Sequence, residues 1–351
     1  MQLRSFVLVV VVAILMLVLG FAVGYFVLPQ REVVVEKTVT LTVVQTVEKK
    51  VPVSVVDGLG RIVVFEEAPK RVVSLAPSIT EILFALGLGD KVVGVTSYCN
   101  YPPEVPKLVE EGKLTVIGGY WNPDVEKIIA LNPDLVIGSS GTKPHVALKD
   151  KLEGLGIKTL YIKGSGASNA EEVFTDIAVV AKVFGVEERA SKLINDIFNQ
   201  ISSVVSKLSS VNITKAKVLV LLGPPSWGLY SVGGDTFLGW VISTAGGINI
   251  ASKYSGWPLL DFEYVVSEDP DVIIIPSMGL NAEDVIKDIG NTLLKETKAF
   301  KEGRVFVVSQ EAENVLVRPG PRIGEAIKLI AQILYRELFG EPGIGVVFKM
   351  K

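Results

Sequence analysis

The stretch Val186–Ser209 reads VEERASKLINDIFNQISSVVSKLS, and its apolar residues keep a helical beat. Ala190, Leu193, Ile194, Ile197, Phe198, Ile201, Val204, Val205 and Leu208 recur every three or four positions. That spacing predicts an amphipathic helix of about six turns whose apolar stripe packs against its neighbours. Gly185 stands outside it and gives it no internal hinge. Bending such a helix breaks backbone hydrogen bonds and exposes Leu193, Ile197, Phe198 and Val204, each worth about 1.5–3 kcal/mol of burial. Whatever flanks this helix is therefore held at a nearly constant angle. With the helical pattern that begins at Ala170, it makes residues 169–210 a rigid interlobe segment.

On both sides the chain alternates β-branched runs with helical stretches, the pattern of an α/β protein with parallel sheets. The first half offers strands at Arg71–Leu75, Lys91–Val95, Asp134–Ile137 and Lys158–Ile162; the second at Lys217–Leu222, Asp271–Ile275 and Arg304–Val308. Runs this continuously apolar suit strands covered on both faces. One block occurs twice. Asp124 to Ile137, DVEKIIALNPDLVI, matches Asp261 to Ile274, DFEYVVSEDPDVII, and in each a Glu precedes the Pro-Asp aspartate by eight residues. Pro-Asp punctuates the passage from helix to strand. Two lobes of like topology follow, 56–168 and 211–351, each with a Glu-bearing helix.

Composition removes several function classes. A net charge of −3 over 351 residues lacks the basic surplus of a nucleic-acid binder. Cys99 is the single cysteine and His145 the single histidine, so no cysteine cluster or histidine-rich metal site can be assembled. No phosphate-binding loop of the GxGxxG or GxxxxGK[ST] type follows a strand. His145, after Lys143-Pro144 at a predicted helix start, reads as an exposed residue, Cys99 as a packing residue and Trp240 as core. Asp235 reads as the cap of a helix starting at Thr236.

The N-terminus is a separate matter. Phe6 to Leu28, FVLVVVVAILMLVLGFAVGYFVL, carries no charge and as a helix spans roughly 34 Å, enough to cross a hydrocarbon core of about 30 Å. It exceeds the usual signal-peptide core, and no cysteine stands at its end to carry a lipid. Residues 1–29 thus read as an uncleaved signal-anchor, with cleavage at the small residues Ala22-Val23-Gly24 as the alternative, and 30–55 as a tether. Arg4 and Arg31 flank the span without deciding its orientation. Asn212-Ile213-Thr214 is a glycosylation sequon, relevant only to chain outside the cell.

The segment Lys70-Arg71-Val72-Val73-Ser74-Leu75-Ala76-Pro77-Ser78-Ile79-Thr80-Glu81-Ile82-Leu83-Phe84-Ala85-Leu86-Gly87 resembles the opening of the long-helix solute-binding proteins of ABC importers, the receptors for cobalamin, ferric siderophores and haem. Val92 to Pro103, Asn132 to Ile137, Gly246 to Asn249 and the lead-in Asp57-Gly58-Leu59-Gly60-Arg61 continue the likeness in order, from about Val55 to Leu338. The resemblance implies two Rossmann-like lobes joined by one rigid helix, with a metal-chelate ligand held between them. Its function is capture and delivery without chemistry, and without catalytic residues, resident cofactor or protein-bound metal. The implied partners are a permease and its ATPase, with the binding domain outside the cytoplasm. It also implies that Glu126 and Glu263, the pair in the repeat, dock on permease arginines.

Open α/β sheets bind ligands at the carboxyl ends of their strands. The residues expected there are Ser78, Tyr98, Tyr101, Tyr120 and Trp121 in the first lobe, and Trp227, Tyr230, Trp257 and Arg318 in the second. Flat aromatic faces suit a large planar or macrocyclic ligand, and the Arg318 fork suits a carboxylate or phosphate. Tyr98 and Trp257 resemble aromatic positions of cobalamin receptors. Cobalamin or another corrinoid is therefore placed first and a ferric siderophore beside it. A haem receptor, a surface sensor without transport and a metallocofactor enzyme of the same fold are the alternatives.

Overall fold

The computed structural model describes residues 52–342 and 346–349. The expected anchor at 1–29 and nearly all of the 30–55 tether lie outside them. Among the described residues no helix is long and apolar enough to cross a membrane. The tether's last residues are not spacer. Strand β1 (Val53–Val56) pairs antiparallel with β2 (Ile62–Phe65), and the turn between them is built on buried Asp57. Its carboxylate accepts from Leu59 N at 3.0 Å and Arg61 N at 2.9 Å, and pairs with the Arg61 guanidinium at 2.6 Å.

Each lobe is a five-stranded sheet. In the first, β3 (Val72–Ser74), β4 (Val92–Val95), β5 (Thr115–Val116), β6 (Leu135–Ser139) and β7 (Lys158–Ile162) lie in the order β5-β4-β3-β6-β7, all parallel. The second holds β8 (Lys217–Val220), β10 (Ile248–Asn249), β12 (Val272–Pro276), β13 (Val305–Ser309) and β14 (Val346–Lys349), ordered β10-β8-β12-β13-β14. The expected parallel sheets are present, with one addition: β14 joins the edge of the second antiparallel to β13. A small antiparallel ribbon, β9 (Leu229–Tyr230) with β11 (Leu259–Leu260), stands beside the second sheet.

The repeated block is structural. Asp124 caps the helix Val125–Ala130, accepting from Glu126 N and Lys127 N at 3.0 and 3.1 Å; Asp261 caps Phe262–Glu268, accepting from Tyr264 N at 2.6 Å. Each helix is left through a residue of positive φ, Asn132 at 46° and Asp269 at 47°, followed by proline. Then Asp134 accepts from the Lys70 and Arg71 amides at 2.8 and 3.0 Å, and Asp271 from the Lys217 amide at 2.8 Å. Each Pro-Asp carboxylate thus pins the start of the neighbouring strand, β3 or β8. Thr236, not Asp235, caps the helix Phe237–Thr244, taking the Gly239 amide at 3.1 Å; Asp235 accepts instead from Gly256 N at 2.8 Å.

The interlobe segment is two helices, Ala170–Phe184 and Glu187–Ser209, broken at Gly185 with φ 66°. The long helix buries Ala190, Ile197 and Val204, spaced by seven. Phe198, expected in the stripe, is 57% exposed, and Val205 is exposed too. Each follows a buried residue by one position, which turns it about 100° off the packed face. The helix grips both lobes. Arg189 donates to Leu86 O at 3.0 Å in the first. In the second, Gly324 lies so near Gln200 that any Cβ would strike its side chain. One apolar cluster runs from Val72, Ile79 and Leu83 through Ile177, Ala190, Ile197 and Val204 to Val218, Val241 and Ile327. The outer faces of the two sheets carry separate clusters, around Val136 and Ile128 and around Ile273 and Val285.

A core shared by both lobes resists shear, so ligand binding closes them by only a few degrees. Small-angle scattering with and without ligand checks this, and a large contraction on binding refutes it.

Candidate functional site

The loops at the carboxyl ends of the strands divide the expected residues into two groups. The first is a set of exposed rings. Tyr98 follows β4 and is 57% exposed; Trp121 follows β5 and is 67% exposed; Trp227, Tyr230 and Trp257 on the second lobe are all about half exposed or more. Tyr98 lies close to Gly119 in the β5 loop, 3.6 Å from where a Cβ would sit. Trp227 rests on Gly223, whose φ of 151° and lack of a side chain both matter, since a Cβ there would fall 2.6 Å from the indole. The ribbon pairs Tyr230 with Leu259, which brings Tyr230 and Trp257 to one side of the second lobe. Tyr120 supports Trp121 of this group. Its hydroxyl shares a hydrogen bond with Thr142 Oγ1 at 2.6 Å, and its ring meets Trp121 and His145 edge-on at 4.8 and 4.9 Å.

The second group joins the lobes. Arg318 directly follows the helix Gln310–Val317, and Arg322 directly precedes the helix Ile323–Leu334. Arg318 is 9% exposed. It donates through Nη1 to Glu81 Oε1 at 3.0 Å and Asn100 Oδ1 at 2.9 Å, and through Nη2 to Tyr98 O at 3.0 Å and Asn314 Oδ1 at 2.7 Å. Arg322 donates to both oxygens of Glu81, at 2.9 and 2.8 Å, and pairs with Glu311. Its guanidinium lies 3.8 Å from the centre of the Tyr101 ring. Burial opposes the Arg322 charge, yet Glu81 and Glu311 hold its pKa above the ordinary arginine value. Ser78, buried in the first turn of the helix Pro77–Ala85, faces Gly320 of the Arg318–Arg322 connection. The Arg318 fork, expected to face the ligand, is thus engaged with the protein itself, and Ser78 and Tyr101 belong to the same lobe contact.

Sequence reasoning missed Glu81, Asn100, Glu311, Asn314 and Arg322. Two signals were present. Glu81 interrupts Ile79, Ile82 and Leu83 on a short helix, and Arg318 and Arg322 bracket Pro-Gly-Pro four residues apart.

His145 corrects another expectation, since it is wholly buried. Its Nδ1 accepts from the Ser139 amide at 3.2 Å, so Nε2 carries the proton it gives to Tyr120 O at 2.8 Å. Burial lowers its pKa and keeps it neutral. Cys99 is buried between the hydroxyls of Thr80 and Thr96, each 3.2 Å from Sγ, and burial pushes its thiol up. Glu126 and Glu263 are exposed in the first turn of their capped helices. Both helices begin at the carboxyl-end side of their lobes. Lys151 meets Glu126 at 3.0 Å with both side chains largely solvated, a pair of small energetic weight.

Residues 72–312 match the periplasmic binding protein family. The chain belongs to that family. It is 32% identical over 292 residues to an uncharacterised ABC transporter substrate-binding lipoprotein of Bacillus subtilis, covering 83% of this chain and 88% of the relative. A vitamin B12-binding protein of Photorhabdus laumondii is 28% identical, over 76% of this chain and 88% of its own. Among solved structures, the haem-binding protein RhuT of Roseiflexus sp. RS-1 superposes with a TM-score of 0.66 at 28% identity, over 76% of this chain and 98% of that one. The substrate-binding role agrees with the family. The α/β fold with parallel sheets agrees with the family.

Proposed function

We propose that this binding protein is the extracytoplasmic receptor of an ABC importer for a metal-chelate ligand, a corrinoid first and a ferric siderophore or haem next. The observation that carries this reading is the set of five exposed rings, Tyr98, Trp121, Trp227, Tyr230 and Trp257, drawn from both lobes. Rings held out in water are unfavourable, and a broad apolar ligand face covers them at little entropic cost. Vitamin B12 and haem, named for two relatives, both have such faces. The test is quenching of tryptophan fluorescence with aquocobalamin, haem and several ferric siderophores. At least one should bind below about 10 μM, or roughly −7 kcal/mol; binding by none of them overturns the proposal.

Delivery is to a permease and its ATPase, with Glu126 and Glu263 as the docking carboxylates, one per lobe. For attachment, Phe6–Leu28 serves as a membrane anchor. The B. subtilis relative is by name a lipoprotein, whereas the only cysteine here, Cys99, is buried in the fold. The intact chain should stay with membranes through a high-salt wash, and a soluble product starting near Tyr25 would show cleavage instead.

A further inference from the structure

We propose that Arg318 and Arg322 are positioning residues that hold the first-lobe loop Tyr98–Tyr101 from the second lobe, and so set the Tyr98 ring without touching ligand. The role of that ring rests on the receptor reading; the clasp stands on its own geometry. Arg318 places two hydrogen bonds on the loop, at Tyr98 O and Asn100 Oδ1. Arg322 covers the Tyr101 ring at 3.8 Å. Both arginines are tied back to one carboxylate, Glu81, on the first lobe's opening helix. The loop is therefore gripped at its start and at its end by the opposite lobe, while Tyr98 itself stays 57% exposed.

Four acceptors around one guanidinium match the planar fork of arginine. A lysine ammonium is a point donor and cannot serve all four. Turning Arg318 toward a ligand anion would strip Glu81 of a partner inside a buried contact, which is costly. Recognition at this end of the site therefore comes from stacking on Tyr98, and the ligand needs no carboxylate or phosphate there.

The chain carries its own reporter. Cys99, its only cysteine, sits between the two loop residues that Arg318 holds, with its thiol buried against Thr80 and Thr96. The experiment measures the reaction of Cys99 with dithionitrobenzoate in the full chain, read by release of thionitrobenzoate, in buffer and in low urea. Arg318→Ala should react about tenfold faster or more. Arg318→Lys should react nearly as fast as the alanine variant, and Asn100→Ala, which leaves no unpaired charge, should show a smaller rise.

Acceleration that is flat across low urea marks local loop opening and supports the clasp. Rates equal to wild type overturn it, as does acceleration that climbs with urea in step with global unfolding. A second arm titrates aquocobalamin: Arg318→Ala should bind it about tenfold more weakly or worse, and unchanged affinity overturns the link to Tyr98. If wild type itself fails to bind aquocobalamin, the corrinoid assignment fails while the thiol rates still decide the clasp.

Discussion

Glu81→Ala lowers folding stability by about 3–5 kcal/mol. The Glu81 side chain is 2% exposed and stands against guanidiniums that are 10% and 5% exposed. Buried ion pairs are weak evidence of net stabilisation, because desolvation offsets much of their attraction. Removing one partner is different. Two arginines would remain at the lobe boundary with Glu311, itself partly solvated, as the remaining carboxylate paired with Arg322 and, among the described residues, none paired with Arg318. Urea unfolding followed by circular dichroism measures the loss. A loss below about 1 kcal/mol would mean that water already reaches the contact and screens it.

The second large effect concerns transport. In cells supplied with the cognate permease, the double variant Glu126→Ala/Glu263→Ala should lose uptake by a factor of about one hundred or more, since truncating a buried interfacial charge costs about 2–5 kcal/mol. Ligand affinity should not change, because both carboxylates are exposed on helix surfaces and neither is one of the five rings. Each single variant should be intermediate, as the repeated block places one carboxylate on each lobe. The Glu126–Lys151 pair is solvated, so docking gives up little by breaking it. Undiminished uptake by the double variant would sink the docking assignment.

The pattern-bearing parts of this chain were legible before any coordinates. Continuous apolar runs placed β3, β4, β6, β7, β8, β12 and β13, and a period-3.6 stripe placed the long helix, because those elements bury whole faces and are selected residue by residue for it. The duplicated Asp–Glu–Pro–Asp block was equally readable, since each of its caps and turns is a local hydrogen bond. Short pairings were not legible. β5, β9, β10 and β11 have two residues each and β14 joins an edge, so a partner strand far away in sequence supplies most of what makes them strands.

The same division runs through the site. Sequence alone determined which rings the strand-end loops would carry, because a loop at a strand's carboxyl end is a local fact. It also determined that no histidine or cysteine cluster was available, because counts do not depend on folding. Only the tertiary structure decided that Phe198 faces water, that His145 is sealed in the core, and that Arg318 holds its own protein. Those outcomes depend on which surface lies opposite a side chain. Glu81 and Arg318 are 237 residues apart, and a charge so distant shows its partner only when the lobes are packed together.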